Sequence, residues 1–146
     1  MSPRYHLLFL CTGNSARSIL AEAIANDLSG ALLDGALTAH SAGSTPAGAV
    51  NPGAIQQLAA TGHDVDNLRS KSWDEFAGAD APAFDWVVTL CDSAAAEPCP
   101  VFAGTGERLH WGLPDPARGE ISFAEAYAQL SARLQPFIQA LADDPV

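Results

Sequence analysis

No run of about 18 apolar residues occurs in this 146-residue chain, so no membrane-spanning helix is expected, and the apolar stretch in "MSPRYHLLFLC" is too short for a secretory leader. Cations are scarce. Seven Lys and Arg stand against 17 Asp and Glu, giving a formal charge of −10 and a pI near 4.5. That balance argues against a nucleic-acid surface, which needs clustered cations to neutralise phosphates. It also disfavours long-range steering of a small anion, so any anion site has to be built locally from backbone N–H groups and one or two cations. Cysteine is limited to Cys11, Cys91 and Cys99. An odd number of thiols without a leader points to the cytoplasm and to reactive or buried thiols rather than a disulfide framework. No Cys-x-x-Cys or paired Cys/His spacing exists, and His6, His40, His63 and His110 are scattered, so no metal site is expected. His6 and His40 fall within strand patterns and read as structural. Repeats, low-complexity tracts and linkers are missing too, and a 48% apolar composition suffices for one core, so residues 1–146 read as a single domain. A monomer is the default expectation.

The patterns that are present alternate between strand and helix. Tyr5 to Leu10 is an apolar run of strand length, as in a parallel sheet covered on both faces. Leu20, Ile24 and Leu28 then recur at helical spacing, with Gly30 as the expected stop. Ala36 to Gly43 reads as a second strand. In "NPGAIQQLAATG" Asn51 is the N-cap, Pro52 the first helical residue and Gly62 the terminator. Ser72 with Glu75 has capping-box spacing and opens a short helix. Phe84 to Cys91 is a third strand and "RLHW" a short fourth. A second capping box, Ser122 with Glu125, opens a last helix in which Phe123, Tyr127, Leu130, Leu134, Phe137 and Leu141 form one stripe and Pro136 is expected to kink it. The fold class is therefore α/β, a small four-stranded parallel sheet flanked by helices on both faces. In such sheets the functional crevice lies beyond the carboxyl ends of the strands, where Cys11 and Cys91 both fall in the sequence pattern.

"CTGNSAR" joins the first strand to the first helix. Small residues, with Gly13 free to adopt positive φ, let the N–H groups of Thr12, Gly13, Asn14, Ser15 and Ala16 converge on one point. The helix adds its positive end, and Arg17 can hold two oxygens of a tetrahedral oxyanion. The same field favours the thiolate of Cys11, and Ser18 is placed to donate to the sulfur. The result is an anion cradle with a nucleophile at its base, suited to attack on phosphorus or arsenic. Asp115, between two prolines in "LPDPA", is the candidate acid for the leaving group. Hydrolysis at such a site needs no further thiol. A two-electron reduction does: Cys91 can attack Cys11 or its adduct, and Cys99 can then carry the disulfide to an external reductant.

At this point the chain resembles the arsenate reductases built on the low-molecular-weight protein tyrosine phosphatase fold. "FLCTGNSARSILAEA", "SAGSTPAGAVNPGAI", "RSKSWDEF", "VVTLCDSAAAEPCP" and "LHWGLPDPA" follow in that family's order. The resemblance implies that Cys11 attacks arsenate, that Arg17 and the loop amides bind it, that Ser18 supports the thiolate and that Asp115 assists loss of oxygen. It further implies a Cys11–Cys91 disulfide that shifts to Cys91–Cys99 for reduction by thioredoxin, with no bound cofactor.

Two departures stand out. Cys91 and Cys99 enclose seven residues, one more than in the best-known thioredoxin-coupled branch, which leaves glutaredoxin with glutathione and mycothiol as further reductants. That branch also binds potassium through residues matching Asn14, Glu22 and Ser41 together with a Thr and an Asp, which here align with Arg69 and Lys71. The expectation is that the Lys71 ammonium takes the ion's place. The main alternative is a tyrosine phosphatase, but Ala117 and Ala16 stand where phosphatases of this fold usually carry an aromatic residue and often a second cysteine. A non-enzymatic thiol sensor would leave Arg17 and Asp115 without a role.

Overall fold

In a computed structural model, residues 5–78, 81–90 and 107–143 are described, and the expectations for Cys91 and Cys99 lie outside them. The order of elements is β1 (Tyr5–Leu10), α1 (Arg17–Leu32), β2 (Leu37–Ala42), α2 (Pro52–Ala60), a 3₁₀ turn (Trp73–Phe76), β3 (Trp86–Thr89), β4 (Glu107–His110), a second 3₁₀ turn (Pro116–Arg118) and α3 (Phe123–Asp143). The strands form one sheet in the order β2-β1-β3-β4, parallel at every pairing. The chain leaves β1 for β2 on one side and later returns to β3 on the other, so the carboxyl end of β1 is the switch point where a parallel sheet opens a crevice. Cys11 follows directly.

The β1 run is apolar because both its faces are covered: Leu7, Leu8, Phe9 and Leu10 are all fully buried. Leu7 and Phe9 join Val88, Leu90 and the buried faces of α1, α2 and α3 in the larger core, while Leu8 and Leu10 meet Ala42, Phe76, Phe84 and Val87 on the opposite face. Among the described residues the three α-helices cover one face, and the first 3₁₀ turn contributes cover on the other. Ala126, Leu130, Leu134 and Ile138 recur every four residues as the buried stripe of α3, each large one worth roughly 2 kcal/mol in transfer free energy.

Several local expectations are corrected. Gly30 does not stop α1, which continues to Leu32 and ends where Asp34 and Gly35 take positive φ (56° and 81°). Ser29 explains the extension, since its Oγ is bonded to Leu37 of β2 and holds the last turn in place. The Ser72–Glu75 capping box does not form. Ser72 Oγ accepts from the Asp74 N–H, and the Glu75 carboxylate is drawn instead into a two-point pair with Arg69 at 2.6 and 2.9 Å. β3 is shorter than expected. Asn51 caps α2 as its pattern requires, and of the Ser122–Glu125 box the bond from the Glu125 N–H to Ser122 Oγ is formed.

Outside the loop after β1, α1 is fastened to the edge of the sheet by polar side chains. Ser29 Oγ donates to Leu37 O (2.6 Å) and accepts from Leu37 N (3.0 Å). Asn26 accepts from Ala39 N (2.8 Å) and donates to Ala39 O (3.1 Å). Ser41 Oγ donates to Glu22 (2.6 Å). Positions 22, 26 and 29 form one helical stripe, and 37, 39 and 41 are alternate residues of the outer strand, so the two periodicities match.

Candidate functional site

Between β1 and α1 the chain coils back on itself, and its carbonyls are held from outside. Thr45 N–H donates to Thr12 O (3.0 Å), Ala47 N–H to Gly13 O (2.9 Å) and Asn51 N–H to Ser15 O (2.8 Å). Ser70 Oγ also donates to Gly13 O (3.2 Å). In a planar trans peptide the N–H points opposite to the C=O, so these outward carbonyls turn the N–H groups of Gly13, Asn14 and Ala16 to the inner side. The coiling of this loop thus has a cause outside it.

Gly43 makes the close wrapping possible. A Cβ there would lie 2.4 Å from Thr12 O and 2.7 Å from Cys11 O, both backbone atoms that cannot swing aside. The positive φ expected at Gly13 falls instead on Asn14 (45°), a residue type that tolerates the left-handed region.

α1 begins at Arg17 with neither a side-chain cap nor an acidic residue in its first turn, unlike α2 with Asn51. Its positive end therefore faces the loop with no capping side chain and no acidic residue of its own first turn to offset it. Cys11, 3% exposed, forms the floor. Its Sγ lies 3.0 Å from Ser18 Oγ, which is itself held by a neighbour. Lys71 N–H can only donate, so the Asn14 atom it meets at 2.9 Å is Oδ1. Asn14 Nδ2 then donates to Ser18 Oγ at 2.7 Å, and the Ser18 hydroxyl keeps its own proton to offer a thiolate at Cys11, which can only accept.

Arg17 bridges from this loop to the segment holding Asp115. It donates to Leu113 O at 2.9 Å and lies 3.5 Å from the Asp115 carboxylate, both side chains being about 15% exposed. The other Asp115 oxygen accepts from the Ala117 N–H at 2.9 Å, and the exposed Arg118 lies 3.8 Å from the oxygen that faces Arg17. The structure therefore brings Cys11, Thr12, Gly13, Asn14, Ser15, Ala16, Arg17, Ser18 and Asp115 into one region.

Lys71 is the chain's one lysine, and it is buried. Its Nζ donates to Arg69 O at 3.0 Å and lies 3.7 Å from Glu22, whose carboxylate also takes the Ser41 hydroxyl. Burial lowers its pKa from the ordinary lysine value, and the Glu22 charge opposes that shift. These residues do not fit a potassium ion: an ammonium already faces Glu22, and Asn14 Oδ1 is taken by the Lys71 amide. Arg69 points elsewhere, to Glu75. Behind Lys71, His40 is packed against the edges of Phe76 and Phe84 and 3.2 Å from His6, and its pKa is pushed down to about 4, first by burial and then by His6 and Lys71. Among the described residues no group of three or more His, Cys, Asp or Glu could hold a metal ion, and no helix is long and apolar enough to cross a membrane.

Sequence reasoning did not single out Gly43, Ser70, Leu113 or Glu120. Gly43 and Ser70 act through the loop backbone at long range, which leaves no periodic signal. The signal available for Gly43 was its place directly after a strand of small residues.

Residues 6–146 match the family model described as low molecular weight phosphotyrosine protein phosphatase. The arsenate reductase of Halalkalibacterium halodurans is 38% identical over 122 residues, covering 84% of this chain and 81% of that protein. A solved structure of an arsenate reductase in its phosphate-binding state superposes with a TM-score of 0.74 at 27% identity, covering 93% of this chain and 98% of the other. The thioredoxin-dependent arsenate reductase of Corynebacterium glutamicum shares the fold, with a TM-score of 0.71 at 23% identity over 96% of this chain, which spans 63% of that longer one. The chain belongs to the low-molecular-weight phosphotyrosine protein phosphatase family.

Proposed function

We propose that this protein reduces arsenate to arsenite in the cytoplasm, as a monomer without a bound cofactor, and that an external thiol reductant, thioredoxin first among them, restores it. The observation that carries the reading is the Cys11 thiol at the floor of the loop after β1, with the Ser18 hydroxyl 3.0 Å from its sulfur and Arg17 at the rim. The choice of arsenic over phosphorus is supported by likeness to the H. halodurans arsenate reductase.

In this scheme the oxyanion sits on the loop amides and Arg17, whose fork matches two of its oxygens. Cys11 Sγ attacks arsenic, and one oxygen leaves as water after taking a proton from Asp115. Cys91 then attacks Cys11 Sγ. An S–S bond forms, the As–S electron pair stays on arsenic, and arsenite departs with the two electrons that the two sulfurs have lost. Attack by Cys99 on Cys91 returns Cys11 as a thiol, and the dithiol of the reductant reduces Cys91–Cys99. Lys71 supplies a fixed cation beside Glu22, so added potassium is expected to leave turnover unchanged. Strong stimulation would overturn that assignment.

The family's own description keeps hydrolysis of aryl phosphates as a second reading. One experiment separates the two: reduced protein is mixed with arsenate and no reductant, and arsenite and free thiols are counted. One arsenite per chain with two thiols lost supports the relay. Unchanged thiols with steady phosphate release from an aryl phosphate would replace it with a phosphatase. Cys99→Ser is expected to complete one turnover and then stop in the presence of thioredoxin.

A further inference from the structure

The turn that carries Asp115 has an unusual economy of donors. Pro114 and Pro116 have no N–H, so Asp115 owns the one amide proton in residues 114–116. That proton is donated to Glu120 Oε1 at 2.7 Å. Glu120 N–H returns the contact by donating to Asp115 O at 3.1 Å, and Arg118 N–H reaches the same carbonyl at 3.2 Å. Gly119, at φ +76°, reverses the chain so that Glu120 comes back over Asp115. Both backbone groups of Asp115 are thus held by one residue. Glu120 also lines, with Arg17, Gly112, Leu113 and Pro114, a cleft of about 440 Å³ next to the loop.

We propose that Glu120 is a positioning residue for the reaction: its carboxylate clamps the Asp115 backbone so that the acid side chain faces Arg17 and the oxyanion loop. The inference rests on the reading of Asp115 as the proton donor. With its amide fixed by Glu120 and one oxygen fixed by the Ala117 N–H, Asp115 has one oxygen left, and that oxygen lies 3.5 Å from Arg17 and 3.8 Å from the exposed Arg118. A carboxylate accepting from a backbone N–H makes a charge-assisted bond, stronger than the amide–amide contacts of an ordinary turn. Glu120 touches no reacting atom in this scheme and works through Asp115.

The test is a double-mutant cycle on the single arsenite burst of the full chain. Glu120→Ala is expected to slow the burst about tenfold, the worth of one well-made hydrogen bond. Glu120→Gln, whose side-chain oxygen can still accept from the Asp115 N–H, is expected to retain most of the rate. In an Asp115→Ala background Glu120→Ala is expected to change the rate less than about twofold, since non-additivity marks residues acting as one unit. Protection of Cys11 from iodoacetamide by phosphate is expected to be the same in Glu120→Ala as in the parent. Additive losses, a Gln variant as slow as the Ala variant, or lost phosphate protection would each overturn the proposal. A parent chain that releases no arsenite would sink the reductase reading instead. The clamp is then judged by hydrogen exchange at the Asp115 amide, expected about tenfold faster in Glu120→Ala and near the parent rate in Glu120→Gln; an unchanged rate in Glu120→Ala would overturn it.

Discussion

At its N-terminal end α1 meets a loop whose carbonyls are bonded outward to Thr45, Ala47 and Asn51, while further along the same helix both polar groups of Leu37 and Ala39 are filled by Ser29 and Asn26. The two regions treat main chain in opposite ways. In the first, one sign of backbone dipole is satisfied by protein and the other is gathered inward, together with a helix end that has no capping side chain and no acidic residue in its first turn. In the second, donor and acceptor are satisfied together by fixed side chains, and the outer edge of β2 has little left to offer another strand. The difference teaches where this acidic chain concentrates positive field: at one loop, by orientation of dipoles rather than by number of cations. Glu22 joins the regions, since it belongs to the helical stripe that covers β2 and also faces Lys71, whose amide orients Asn14.

Breaking that joint is expected to have the largest effect. Lys71→Met leaves the Glu22 carboxylate buried opposite an apolar side chain and is expected to cost about 4 kcal/mol of stability, measured by urea unfolding. Adding Glu22→Gln should recover most of it. Next comes the loop alone: Gly43→Ala forces a Cβ against Thr12 O and Cys11 O and is expected to cost about 3 kcal/mol, with phosphate no longer protecting Cys11 from alkylation. On the edge side, Ser29→Ala leaves the N–H and C=O of Leu37 without their partner, at about 2 kcal/mol, and leaves the loop chemistry intact. Paired with Asn26→Ala it should expose the strand, read as concentration-dependent self-association in gel filtration.

The smallest effect sharpens the comparison by lying outside both regions. His40 has a folded pKa near 4 against 6.5 unfolded, so its contribution is fully present above pH 6.5 and is lost as pH falls towards 4. Between those values stability is expected to drop by on the order of 1–2 kcal/mol through His40 alone, and His40→Phe should flatten that part of the urea midpoint against pH. A slope unchanged by the substitution would assign the acid sensitivity to other groups.

The local grammar was legible. Strand β1, the Cys11–Arg17 loop, the caps Asn51 and Ser122 and the apolar face of α3 all follow from periodicities and short spacings that a chain displays along itself. What was not legible came from groups distant in sequence. Gly30 looked like a stop because glycine is a poor helix former, yet the Ser29–Leu37 bonds reach across to another element and carry α1 past it. Glu75 had capping-box spacing with Ser72, but the guanidinium of Arg69 competes for the same carboxylate. Positive φ was assigned to Gly13 on residue type, whereas the Lys71 amide and Ser18 hydroxyl hold Asn14 there at both ends of its side chain. Ser18 lies 3.0 Å from the Cys11 sulfur, a neighbour its position one residue past Arg17 suggests, whereas its bond from Asn14 has no signal in the sequence.

A chain with one lysine, and that one folded inward against Glu22, has a consequence for anyone labelling it. Acylating reagents aimed at side-chain amines have a single target, and they reach it fully only when the segment framing Asn14 comes away from the loop after β1. The speed at which Lys71 takes up such a label is therefore a clock for that opening, built into the protein without any engineered probe. An oxyanion that tightens the loop should slow the clock.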